Sequence, residues 1–142
     1  MRALLDVNVL IALLDSDHVL HARAMAWFEK HSNRGWASCP ITQNGCVRIM
    51  CGSRYPKALP AHAVIQRLAT ASKTLLHEFW PDDLTLLDAS VFDTSRIHSP
   101  KQITDVYLLA LAVKHRGILV TFDQQISVDA VHGAAMDNLV QL

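Results

Sequence analysis

Three aspartates interrupt or end strongly apolar parts of the chain, which is an unusual setting for a carboxylate. Asp6 follows the apolar run at residues 2–5, Asp105 lies near the start of the run ITDVYLLALAV, and Asp123 follows the segment ILVTF. A buried charge without a partner is costly, and its pKa shifts until the neutral form dominates. Side chains of this type therefore serve either as helix caps and turn residues or as ligands of a hard metal ion.

Each acid has a structural interpretation when it is taken alone. Asp6 can cap a helix that begins at Val7, a contribution of about 1 kcal/mol. Asp105 follows Thr104 in the first turn of a helix, where its charge complements the helix dipole. Asp123 can cap a turn. No single acid establishes a catalytic site.

The three acids together favour a metal site. Like charges brought within a few ångströms repel by about 1–4 kcal/mol per pair, and a divalent cation relieves that repulsion. Carboxylate oxygens without Cys or His partners select Mg²⁺ or Mn²⁺ over Zn²⁺. The waters that such an ion keeps are suited to the hydrolysis of phosphate esters.

Strands and helices alternate along the chain. The hydrophobic spacing predicts strands at 2–5, 36–39, 75–81, 118–122 and 138–142, and helices at 7–14, 18–31, 40–50, 61–73 and 104–116. Gly and Pro mark 52–60 as a loop, and Gly117 is the expected stop of the last helix. The sequence of the segment at 82–102 predicts only a short apolar element at 84–87, followed by irregular chain.

This alternation predicts an α/β fold, a single domain over 1–142 with a mainly parallel central sheet covered by helices on both faces. Ligands of such sheets bind beyond the carboxyl ends of the strands. Asp6 and Asp123 each follow a strand, so they would face the same crevice if the two strands are neighbours.

Composition excludes several other classes of protein. The formal net charge is zero, so any contact with nucleic acid must be local. The 3 cysteines lack the spacing of a structural zinc site. No apolar stretch approaches the roughly 20 residues of a membrane span, and no secretory signal is recognisable, so we expect a soluble cytoplasmic protein.

Three segments and their order resemble one known family. LLDVNVLIALLD, CPITQNGCVRI and ITDVYLLALAVKHRGILVTFDQ are similar to segments of PIN-domain ribonucleases, specifically the VapC-type toxins of bacterial toxin–antitoxin pairs. The resemblance implies a three-layer α/β/α sandwich and an endoribonuclease that depends on Mg²⁺ or Mn²⁺. It also implies a cognate VapB-like antitoxin that neutralises the activity, and a homodimer or larger complex.

The resemblance also implies roles for individual residues. Asp6, Asp105 and Asp123 match the metal-binding acids of the family, and Asn8 and Thr121 match polar positions that support the site. Gln43 is a departure, because the family pattern usually has a Glu there. A Gln still offers a neutral oxygen to a metal ion or a water, but it removes one negative charge. The chain can be a member that works with Gln, a weakened copy, or a deliberately disabled one.

Contacts with RNA are expected from three basic residues. Arg48 follows Gln43 on the same predicted helix, and Arg54 and Lys57 lie in the loop at 52–60. A solvated helix face and an ordinary polar turn are the alternative interpretations.

Two other functions compete with the nuclease. Phosphatases and receiver domains that form an aspartyl-phosphate also use acids at strand ends. The phosphatases require a second Asp where this chain has Asn8, and the receivers require a Lys that the segment TFDQQISVD lacks. A catalytically weakened domain that only binds an antitoxin is the alternative that Gln43 supports.

Overall fold

A computed structural model describes all 142 residues and contains five strands and five α-helices. The strands are β1 (Ala3–Leu5), β2 (Trp36–Ser38), β3 (His77–Phe79), β4 (Ile118–Thr121) and β5 (Leu139–Gln141). The helices are α1 (Val7–Leu14), α2 (His21–His31), α3 (Pro40–Met50), α4 (Ala61–Ser72) and α5 (Ile103–Lys114). The structure therefore confirms the predicted order of elements, with ends that differ by a few residues.

All five strands form one parallel sheet in the order β3-β2-β1-β4-β5. β1 lies at its centre, and Leu5 of β1 is paired with Val120 of β4. The residues that follow these two, Asp6 and Thr121, are therefore neighbours at the carboxyl edge of the sheet. The condition on which the shared crevice depended, that β1 and β4 are adjacent, is met.

Alternate residues of the central strands enter two separate cores. Leu4 and Leu119 face α5, whereas Leu5 and Val120 face a layer that contains α1, α3 and α4. Successive side chains of a strand point to opposite faces, so each face needs its own cover. The fold is thus the expected three-layer α/β/α sandwich.

Close packing of α1 on α3 depends on a glycine. A Cβ atom at Gly45 would lie 2.7 Å from Cγ2 of Val7. The absence of a side chain lets α3 approach the start of α1, directly after Asp6. Gly45 thus brings the helix that carries Gln43 close to the carboxyl edge of β1.

The segment at 82–102 covers the outer side of α5. Residues 106–112 of α5 are all buried, which a single sheet could not achieve. Leu84 and Leu86 pack on this core, but the expected element at 84–87 is neither helix nor strand, and Leu87 is 92% exposed. The Tyr107 hydroxyl satisfies both backbone groups of Leu84, which therefore need no neighbouring strand.

Two helix ends differ from expectation for local reasons. α2 begins at His21 rather than residue 18, because Nδ1 of His18 accepts a hydrogen bond from the Leu20 N–H (3.0 Å) and forms a turn. At the end of α5 the left-handed residue is Arg116 (φ 54°), not Gly117. Gly117 is needed for space, because a Cβ there would lie 2.6 Å from the carbonyl oxygen of Arg2. None of the helices has the length and apolar character of a membrane span.

Candidate metal and catalytic site

Asp6 is a buried carboxylate with two defined hydrogen-bond donors. It is 6% exposed and lies between β1 and α1. Its Oδ1 accepts a hydrogen bond from the Val7 N–H (2.7 Å), and its Oδ2 accepts one from the Thr121 hydroxyl (2.7 Å). Asp6 therefore caps α1, and it is also fixed from the neighbouring strand, a contact that capping alone does not require.

Thr121 connects Asp6 to Asp123. Its hydroxyl donates to Asp6 and accepts a hydrogen bond from the Asp123 N–H (3.0 Å). Oδ1 of Asp123 accepts from the Gln125 N–H (2.7 Å), and the Gln141 side chain on β5 donates to the Asp123 carbonyl oxygen (3.0 Å). One hydroxyl thus orients the Asp6 carboxylate and the backbone that carries Asp123.

Asp105 reaches the same edge from the first turn of α5 and is partly buried. Burial raises the pKa of its carboxyl to about 7, and the negative charges of Asp6 and Asp123 act in the same direction. Burial also raises the pKa of Asp6, against the two hydrogen bonds that lower it. None of the three carboxylates forms an ion pair with Lys, Arg or His, so their mutual repulsion is not relieved within the chain.

The donor set fits a hard divalent cation, although the structure does not arrange three His, Cys, Asp or Glu side chains as a complete coordination group. The two observations are compatible, because charges influence each other over distances longer than the roughly 2.1 Å of a bond to Mg²⁺. Asp6, Asp105 and Asp123 supply only oxygen atoms, and Thr121 occupies one lone pair of Asp6. The residues present suit Mg²⁺ or Mn²⁺ better than Zn²⁺.

Gln43 lies near this edge, but its observed partner is a serine. Its Nε2 donates to Oγ of Ser38 (2.9 Å), the last residue of β2, and Ser38 in turn is 2.8 Å from Nε2 of His77. Asn8 is exposed in the first turn of α1. Local sequence patterns did not point to Ser38, His77 or Gln141; the position of Ser38 at the end of an apolar strand was the one available signal.

The basic residues expected to contact RNA are in different environments. Arg48 lines a cavity of about 660 Å³ between α3 and α4, together with Gln43. Arg48 and Arg54 line a second, shallow cavity of about 360 Å³. Lys57 pairs with Asp17 at 3.2 Å on the surface, whereas Arg48 and Arg54 have no acidic partner. The two arginines, rather than the lysine, have charges available to a ligand.

Comparison with known proteins identifies the class to which this fold and site belong. The family model described as PIN domain matches residues 3–131, so the chain belongs to the PIN-domain family. Its similarity to named members extends over the full length. It is 57% identical to Ribonuclease VapC44 of Mycobacterium tuberculosis (strain ATCC 25618 / H37Rv) over 142 residues, which is 100% of both chains.

Two further comparisons agree with this assignment. The chain is 42% identical to Ribonuclease VapC39 of the same organism over 134 residues, 94% of this chain and 96% of the relative. Among solved structures, it is similar to the "Crystal structure of VapBC2 from Rickettsia felis bound to a DNA fragment from their promoter", with a TM-score of 0.57. That similarity covers 87% of this chain and 89% of the other at 12% identity, and therefore concerns the fold.

Proposed function

We propose that this chain, which full-length similarity shows to be a VapC-type ribonuclease, hydrolyses RNA phosphodiester bonds with the help of Mg²⁺ or Mn²⁺. The observation that carries the proposal is the buried Asp6 carboxylate, which accepts a hydrogen bond from Thr121. The negative charges of Asp6 and Asp123 both act on Asp105, and no basic side chain pairs with any of the three acids. The full-length similarity to proteins named as ribonucleases gives the reaction class.

The chain's own residues have separate tasks in this reaction. Asp6, Asp105 and Asp123 would hold the cation, which when bound supplies a Lewis acid for the phosphoryl oxygen and a water of lowered pKa. Thr121 keeps the Asp6 carboxylate and the Asp123 backbone in fixed orientations. Gln43 is expected to accept a hydrogen bond from the attacking water through Oε1, because its Nε2 is already bonded to Ser38.

From the three acids, the bound RNA strand would extend along α3. Arg48 lines both the cavity with Gln43 and the cavity with Arg54, so two unpaired guanidinium groups continue from the catalytic edge. Arginines bind phosphates through paired N–H donors. Lys57 contributes less to RNA binding in this arrangement, because the Asp17 carboxylate 3.2 Å from its ammonium repels phosphate and partly offsets its attraction.

An antitoxin of the VapB type belongs to the same proposal. An apolar groove of about 320 Å³ runs between α1, α2 and α4, and its lining includes Leu10, Leu14, Met25 and Phe28. An apolar segment of an antitoxin fits such a groove. A homodimer is also proposed, with the exposed Ile49 as a contact, whereas the neighbouring Met50 is buried in the protein's own core. The cytoplasm, where RNA is abundant, is the proposed location.

A catalytically weakened domain that only binds an antitoxin is the second candidate. Gln43 in place of the usual Glu supports it, since the site has one negative charge fewer. The same observation fits a working enzyme that uses the neutral oxygen of Gln43. The two candidates differ in one measurable property, the cleavage of RNA in the presence of a metal ion.

Cleavage of a pool of structured RNAs by the purified protein, with Mn²⁺ or with EDTA, tests the proposal. We expect metal-dependent products that Asp6→Asn abolishes. Asp129→Asn, which removes an exposed acid away from the site, is the matched control and should cleave normally. If no RNA yields a metal-dependent product, or if Asp6→Asn cleaves like the unchanged protein, the nuclease is excluded and the binding module is favoured.

A further inference from the structure

A chain of hydrogen bonds connects α3, the carboxyl end of β2 and the first residue of β3. Nε2 of Gln43 on α3 is 2.9 Å from Oγ of Ser38 on β2, and that Oγ is 2.8 Å from Nε2 of His77 on β3. Ser38 is fully buried. The hydroxyl of Ser38 is therefore shared between an amide and an imidazole.

His77 is held in the neutral form by its surroundings. The pKa of His77 is lowered by burial and by the nearby Arg2 guanidinium, while Glu78 acts in the opposite direction. The His77 ring also packs on the indole of Trp36, with ring centroids 4.3 Å apart. A neutral imidazole has one nitrogen that accepts a hydrogen bond.

The single proton of the Ser38 hydroxyl then determines the orientation of Gln43. If Ser38 donates to Nε2 of His77, it has no proton left for Gln43 and can only accept from it. The amide of Gln43 must turn its NH₂ group towards Ser38. The carbonyl oxygen Oε1 is then the atom left for a ligand or a water.

We propose that Ser38 and His77 are positioning residues that keep Oε1 of Gln43, rather than its NH₂ group, available to the reacting water. The inference rests on the proposed nuclease function for its catalytic consequence. Without the acceptor on His77, Ser38 could donate to Oε1, and the amide could then rotate to present its NH₂ group. A Glu at position 43 has two equivalent oxygens when ionised and needs no such control of orientation.

The catalytic consequence is tested by a double-mutant comparison. Ser38→Ala and His77→Phe are each made in the unchanged protein and in the Gln43→Glu background, and kcat and KM for RNA are measured with Mn²⁺. We expect each substitution to lower kcat about 10-fold with little change in KM when Gln43 is present. In the Gln43→Glu background the same substitutions should have no further effect on kcat. His62→Phe, on the exposed side of α4, is the matched control for the second substitution.

An equal loss of kcat in both backgrounds would overturn the inference, because it would indicate a general structural effect. A second measurement is independent of activity: long-range proton–nitrogen NMR spectra of the intact protein report which nitrogen of His77 carries the proton. We expect Nδ1 to be protonated and Nε2 to accept. Protonated Nε2 overturns the inference even if RNA is cleaved. If the protein cleaves no RNA, the proposed function fails, while the spectra still decide the orientation of Gln43.

Discussion

Thr121 donates a hydrogen bond of 2.7 Å to Oδ2 of Asp6, although the two residues are 115 positions apart in the chain. Parallel pairing of β1 with β4 makes the contact possible, since both residues directly follow paired positions. The same hydroxyl accepts from the Asp123 N–H. Loss of this one oxygen atom would therefore disturb two of the three acids.

We predict that Thr121→Val lowers RNA cleavage about 10–100-fold, because valine has nearly the same shape but no hydroxyl. Thr121→Ser, which keeps the hydroxyl, should retain most of the activity and serves as the control. Initial rates at saturating Mn²⁺ provide the measurement. Equal activity of the Val and Ser variants would contradict a role for the hydroxyl in orienting Asp6.

The stability of the protein should fall as the pH rises when no divalent ion is present. The pKa of Asp105 is raised from 3.8 to about 7 in the folded protein. A group with a raised pKa contributes stability that is fully present below its unfolded pKa and is lost as the pH rises through its folded pKa. We expect a decline between roughly pH 4 and pH 7.5, of about 1–2 kcal/mol after allowance for solvent screening.

Asp105→Asn tests this pH dependence, because an amide has no charge to gain. The variant should be more stable than the unchanged protein at about pH 8, and its stability should change less with pH. Urea unfolding in EDTA at a series of pH values measures both effects. A steeper fall in stability with pH for the variant would be the opposite of the expected result.

Binding of Mn²⁺ should raise the melting temperature of the protein, since an ion that binds only the folded state stabilises that state. The increase should be larger near pH 8 than near pH 6, because Asp105 must lose its proton to bind the ion.

Gln43→Glu should tighten Mg²⁺ binding by restoring a negative charge. Unchanged or weaker affinity in a titration would indicate that Gln43 does not face the ion.

Arg48→Ala and Arg54→Ala should weaken RNA binding more than Lys57→Ala, because only the lysine has an acidic partner. Each arginine that contacts a phosphate should also contribute about 0.7 to the slope of log affinity against log salt. Fluorescence anisotropy with a short labelled RNA in EDTA provides both values. Equal effects of the three substitutions would contradict the proposed path along α3.

Arg116→Gly should stabilise the protein by about 0.5–1 kcal/mol, because Arg116 ends α5 with a φ of 54° that glycine adopts without strain. Ala26→Gly is the control: Ala26 is exposed in the interior of α2, where glycine should destabilise by about 1 kcal/mol. Thermal unfolding at a fixed pH compares the two. A loss of stability in Arg116→Gly would show that the side chain matters more than the backbone conformation.

Local patterns in the sequence were sufficient for most of the fold. The helix at Val7–Leu14 was predicted at its observed ends, and Asp105 lies in the first turn of α5 as expected. Hydrophobic spacing and end signals report the interactions between residues that are near in the chain. The same patterns failed at 84–87, where the Tyr107 hydroxyl, from a distant helix, satisfies the backbone of Leu84.

The amino-acid sequence by itself determined which acids end apolar segments, and therefore that Asp6 and Asp123 would lie at strand ends. Only the tertiary structure decided that β1 and β4 are adjacent, that Thr121 joins the two acids, and that Gln43 is bonded to Ser38 rather than to an acid. The reason is physical. Whether a segment forms a strand or a helix, and where that element ends, depends mainly on residues that are near in the chain. Strand order and side-chain hydrogen bonds depend on how distant segments pack together.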